Sequence, residues 1–103
     1  MAVLVYVTCP DKEVAHSLAK TTISKKLAAC ANIIPGLTSV YEWQGKIQEE
    51  SEHLLLLKTE ENKFSEISKV LTENHPYDCP AVVSIPIENG NPDFLKWIRE
   101  QTT

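Results

Sequence analysis

Three cysteines, at 9, 30 and 79, and three histidines, at 16, 53 and 75, are the side chains best able to hold a soft or borderline metal. Only His75 and Cys79 stand close together, in His75-Pro76-Tyr77-Asp78-Cys79-Pro80, where two prolines fix the backbone. That pair lacks the doubled short spacings of a structural zinc site. Cys9 and Cys30 fall on strand-like sequence, where a thiol more often packs as a small hydrophobe than binds metal. His16 lies off the apolar stripe of a helix and reads as exposed. A Cys30–His75 nucleophile and base would need the fold to join residues that their spacing does not. Three glycines supply neither a phosphate loop nor a dinucleotide fingerprint. Tyr6 is the only ring on the first strand-like run, which is no stacking platform for RNA. These residues do not read as an enzyme.

A second group is aromatic and charged. Tyr41 and Trp43, with Lys46 just beyond, form a large amphipathic surface near a turn, better suited to a groove between subunits than to one small core. Lys58 closes an apolar run and serves either by snorkelling or by holding an anion in a cleft. Glu49, Glu50 and Glu52 read as a charged edge that blocks aggregation, with a hard cation as the alternative occupant. The formal charge of -4, with lysines scattered among glutamates, argues against non-specific nucleic-acid binding. No apolar run is long enough to span a membrane, and no secretory signal is legible. The three cysteines are expected as thiols, and the chain as cytoplasmic.

The elements that must position these residues follow from periodicity. Ala2–Thr8 is apolar and β-branched, a central strand that Pro10 ends. Asp11 caps a helix whose apolar positions are Ala15, Leu18, Ala19, Thr22 and Ile23. Lys20, Lys25 and Lys26 sit mostly off that stripe, the last two near the helix's negative end. From Cys30 to Thr59 two strand-like arms flank Gln44-Gly45, a hairpin signal. Each arm spans roughly 45 Å at ~3.3 Å per residue, too long for a small chain to cover alone. Pro35-Gly36 marks a bulge in the first arm. Phe64, Ile67, Val70 and Leu71 give a second helix, capped by Thr59 or Asn62. Ala81–Ile87 is a last strand with Pro86 near an edge. Asn91 and Pro92 then start a terminal helix striped by Phe94, Trp97 and Ile98. The order β-α-β-β-α-β plus a helix is a ferredoxin-like α+β plan in a single domain, residues 1–103.

The motifs VYVTCPD at 5–11, LAACANIIPGLTSVYEWQGKIQEESEHLLLLKT at 27–59, HPYDCP at 75–80 and GNPDFLKWI at 90–98 resemble the CutA divalent-cation tolerance family across nearly the whole chain. The resemblance implies a tight homotrimer with a PII-like assembly, in which the long hairpins cross to neighbouring subunits. It implies an accessory role in divalent-cation and copper tolerance. The alternatives are a PII-like signalling protein binding a small anionic metabolite between subunits, and a scaffold without a small ligand. The intersubunit cleft is expected to use Tyr41, Trp43, Lys46, Lys58, Tyr77 and Trp97. The bacterial-type copper site of this family maps here onto Val7, His75 and Ala81, so only the histidine is kept. Cu(II) or another divalent cation is therefore expected to bind weakly, through His75, with Cys9 and Cys79 as the nearest substitutes.

Overall fold

Eight elements follow one another in the computed structural model, which describes residues 1–103. They are β1 (Ala2–Cys9), α1 (Lys12–Ser24), β2 (Cys30–Trp43), β3 (Lys46–Glu60), a 3-10 turn (Glu61–Lys63), α2 (Phe64–Asn74), β4 (Val82–Pro86) and α3 (Pro92–Gln101). The sheet runs β2-β3-β1-β4 with every pairing antiparallel. This is the ferredoxin-like order expected from the sequence.

Alternation decides which side chains enter the core. Val3, Val5, Val7 and Cys9 of β1 and Leu55 and Leu57 of β3 point to one face. There they meet Ala15, Leu18 and Ala19 of α1 and Ile67 and Leu71 of α2. Helix α1 starts where Asp11 accepts a hydrogen bond from the Val14 amide at 2.9 Å. Asn91 does the same for α3, accepting from the Asp93 amide at 2.9 Å with Pro92 in the first turn. Two expectations are corrected. Ile23 is 41% exposed, because the stripe of α1 ends at Thr22, whose hydroxyl turns back to the carbonyls of Leu18 and Ala19. Neither Thr59 nor Asn62 caps α2: the 3-10 turn intervenes, and the Thr59 hydroxyl donates instead to the Leu27 carbonyl. Lys25 caps the C-terminus of α1 and Lys26 follows in the left-handed region at φ 59°.

The second face of the sheet is only partly covered. Helix α3 packs on β3 and β1, while Ile34, Val83 and Ile85 remain 45–50% exposed. Strand β3 pairs with β1 only from His53 to Glu60. Its first half, Lys46–Glu52, has β2 alone. The hairpin therefore leaves the body as a two-stranded ribbon carrying Val40, Trp43 and Ile47 at 61, 63 and 76% exposure. The longest molecular extent is 46 Å and the radius of gyration 14.2 Å, against about 13 Å for a compact domain of this size.

Two backbone features shape that ribbon. The register shifts between Ile34 and Leu37, where Pro35 cannot donate and Gly36 adopts φ 81°. At the tip Gln44 and Gly45 have φ of 52° and 77°, the double left-handed geometry that suits a two-residue hairpin. Glycine tolerates it freely, whereas glutamine does not.

Gln44→Asn should accordingly raise the denaturant midpoint, by up to about 1 kcal/mol of stability. Leu57→Ala, at a side chain with 0% exposure, should cost about 2–5 kcal/mol in the same unfolding measurement.

Candidate functional site

The pleat of the hairpin builds a groove. Ser39, Tyr41 and Trp43 of β2 and Gln48, Glu50 and Glu52 of β3 share one face, beside Tyr6 and Thr8 of β1. The stiff loop after α2 closes one wall with Pro76, Tyr77, Asp78, Cys79 and Ala81, around a space of about 990 Å³. Every charged side chain in this lining is acidic. None is a lysine, arginine or histidine.

Glu52 organises the groove. It is 6% exposed, and its two oxygens accept from different hydroxyls: Oε1 from Ser39 at 2.6 Å and Oε2 from Tyr77 at 2.7 Å. The Tyr41 hydroxyl donates to Glu50 Oε1 at 2.7 Å. Ser39 faces Glu50 and Tyr41 faces Gln48 across the ladder, so both hydroxyl–carboxylate bonds step diagonally in the same sense. The carboxylates shape their neighbours' proton affinity. Burial, then the hydrogen bond from Tyr77 to Glu52 and the charge of that carboxylate, lift the Tyr77 phenol well above its ordinary range. The Tyr41 phenol is raised mainly by its hydrogen bond to Glu50. Burial, with Glu52 and Asp11 adding, pushes the Cys9 thiol up to about 11.

His75 is committed elsewhere. It is 8% exposed. Nε2 lies 2.9 Å from the Thr8 carbonyl, and Nδ1 accepts from the Tyr77 amide at 3.1 Å. A carbonyl can only accept and an amide can only donate, so these partners fix the neutral tautomer with the proton on Nε2. The ring packs against Tyr77 with centroids 4.6 Å apart. Nε2 thus ties the end of α2 to β1, while Nδ1 is taken by the loop that follows.

The residues singled out from the sequence divide by place. Tyr41, Trp43 and Tyr77 line the groove, with Cys79 on its wall. Lys46, Lys58 and Trp97 do not. Lys58 donates to Asn32 Oδ1 at 2.6 Å and stands over Phe94, which stacks on Trp97 with centroids 5.7 Å apart. Cys9 is sealed at 0% exposure, among the core residues. No group of three or more His, Cys, Asp or Glu side chains is placed to hold a metal ion. The acidic stretch is more than an edge. Glu50 and Glu52 line the groove while Glu49 does not, a division already present in their parity with Ser39 and Tyr41. Ser39 is the site residue that sequence reasoning passed over, and the hydroxyl partners of Glu52 are the contacts it did not foresee.

The model of the family described as CutA1 divalent ion tolerance protein matches residues 3–101. Protein CutA homolog of Xenopus laevis is 48% identical over 93 residues, covering 90% of this chain and 62% of its own length. Protein CutA 1, chloroplastic, of Oryza sativa is 46% identical over 101 residues, covering 98% of this chain and 57% of the relative. The chain thus spans about three fifths of these two curated relatives. The solved structure of the divalent cation tolerance protein (Cut A1) from Thermus thermophilus superposes with a TM-score of 0.97 at 45% identity, covering 100% of both chains.

Because folded Tyr77 keeps its proton to higher pH than the unfolded chain does, the folded state binds more protons between the two values. Stability should therefore fall as pH rises past about 10, the ordinary phenol value. Tyr77→Phe should make that fall shallower in denaturant midpoints measured from pH 8 to 11. At neutral pH the same change should cost about 1–2 kcal/mol, since Glu52 loses a donor.

Proposed function

The chain belongs to the CutA1 divalent ion tolerance family, and from that premise we propose a homotrimeric, non-catalytic role in divalent-cation and copper tolerance. The observation that carries it is the groove around Glu52, where the charged lining is wholly acidic and the buried carboxylate is held by neutral hydroxyls only. Such a site lowers the energy of a cation and raises that of an anion. The sign of the groove favours cations over a small anionic metabolite. Lys58, the best candidate for an anion, faces Asn32 and Phe94 rather than this space.

The copper site implied by the family pattern does not fit this chain. Val7 is sealed in the core at 0% exposure, Ala81 has no donor, and both His75 nitrogens are engaged. We assign the cation instead to the acidic field that Glu50, Glu52 and Asp78 give the groove, as weakly held, exchanging cargo without a fixed set of ligands. Two-stranded ribbons are marginal alone in water. The trimer reading is supported by that ribbon, by its exposed Val40, Trp43 and Ile47, and by the open sheet face bearing Val83 and Ile85. Three free thiols favour a reducing compartment, in keeping with a cytoplasmic protein.

Sedimentation at micromolar concentration should give a trimer. A monomer would remove the assembly, and Trp43→Ala should weaken it by about 3–5 kcal/mol if neighbours bury the ring. Calorimetric titration with Cu(II), thiols kept reduced, should show affinity of roughly micromolar or weaker. That affinity should drop in Glu50→Gln and Glu52→Gln and persist in His75→Ala. Loss with His75→Ala alone would return the site to the imidazole, and no binding at all would favour a scaffold.

A further inference from the structure

Cys30 and Lys58 are direct partners across β2 and β3, at the root of the hairpin and away from the groove. Lys58 Nζ lies 3.8 Å from Cys30 Sγ. The lysine is held in place rather than free in solvent. Its ammonium donates to Asn32 Oδ1 at 2.6 Å and stands 5.7 Å from the Phe94 ring centroid, itself backed by Trp97. Both Cys30 and Lys58 are half-buried, open enough to admit a small oxidant. The other two thiols lack this setting: Cys9 is sealed in the core, and Cys79 is exposed with no lysine bonded to it.

We propose that Cys30 and Lys58 form a redox modification site, in which a hydroperoxide oxidises the thiol and the lysine amine captures it as a covalent sulfur–nitrogen cross-link. The sulfur attacks one peroxide oxygen and the O–O bond breaks. With hydrogen peroxide this gives a sulfenic acid and one water. The Lys58 nitrogen, after releasing a proton to solvent, attacks that sulfur. The S–N bond forms, the S–O bond breaks, and the hydroxyl leaves as water with a proton. Sulfur is oxidised by two electrons and the peroxide is reduced by two, so the residue pair loses two hydrogens. A dithiol reverses the link, returning thiol and amine while forming its own disulfide. The geometry favours capture over further oxidation, because the strand register presents the amine to the sulfur at almost no entropic cost. The product would pin β2 to β3 beneath the ribbon and remove the Lys58 charge. This inference stands apart from the cation reading, since it uses none of the groove residues.

The test uses the full chain carrying Cys79→Ser, so that the exposed thiol cannot form disulfides. After equimolar hydrogen peroxide, alkylation and tryptic digestion, mass spectrometry should find residues 27–46 joined to 47–63 through Cys30 and an uncleaved Lys58. That species should be lighter than the two peptides together by two hydrogens, and dithiothreitol should abolish it. Adding Lys58→Arg, which keeps the positive charge, should reduce the link to background and let dimedone trap Cys30 sulfenic acid. Cys30→Ala should give neither product. Oxidation of Cys30 to sulfinic acid without any linked peptide while Lys58 is present would overturn the proposal. So would a product distribution that Lys58→Arg leaves unchanged.

Discussion

Strand β3 can satisfy its backbone on both sides only from His53 onward, where β1 joins β2 as its neighbour. Everything distinctive about the molecule depends on that asymmetry. In the doubly paired half, alternate residues sink into the helical core, and Leu55, Leu57 and Thr59 reach 0% exposure. In the singly paired half the same alternation has no helix to meet. The opposite face, which carries Leu54 and Leu56 in the doubly paired half, becomes the groove, with hydroxyls and carboxylates in place of leucines. Glu52 lies at the changeover and is buried although it carries a charge. A carboxylate is tolerated there because Ser39 and Tyr77 supply a donor to each oxygen.

Local chemistry made the elements readable. The β-branched run at the start, the Asp11 and Asn91 caps, and the Gln44-Gly45 turn each act within a few residues, and each is where periodicity and capping rules place it. What escaped the sequence acts at long range. His75 looked like an available imidazole until the fold set its ring between the Thr8 carbonyl and the Tyr77 amide. Thr59 looked like a cap until the end of α1 brought the Leu27 carbonyl to its hydroxyl. The sign of the groove was hidden for a related reason. Pro35 and Gly36 offset the ladder, and that offset sets Ser39 diagonal to Glu52. No count of charges along the chain reveals such a pairing.

The lysines show how position outweighs composition. Lys46 and Lys58 flank the aromatic residues in sequence, which makes a basic cleft plausible on paper. Across the folded sheet Lys58 instead joins Cys30, Asn32 and Phe94, and Lys46 stays outside the groove. The chain therefore separates two chemistries: an acidic aromatic groove along the ribbon, and a single amine beside a thiol at its base. Burial keeps the third actor, Cys9, out of both.

The place of β1 in the sheet has a consequence for how the chain is made. It is made before the other three strands of its sheet and is one of the two inner strands, yet its partners are β3, ending at Glu60, and β4, ending at Pro86. Its apolar run must therefore wait for β3 before one edge is occupied and for β4 before the other is. The hairpin, by contrast, joins neighbours in sequence and can zip from Gln44-Gly45 without waiting. Non-local pairing of this kind slows folding and leaves a sticky strand open meanwhile. The late arrival of β4 makes Val82–Pro86 the segment that completes the sheet, so a ribosome stalled before Val82 would hold a chain whose central strand still has a bare edge.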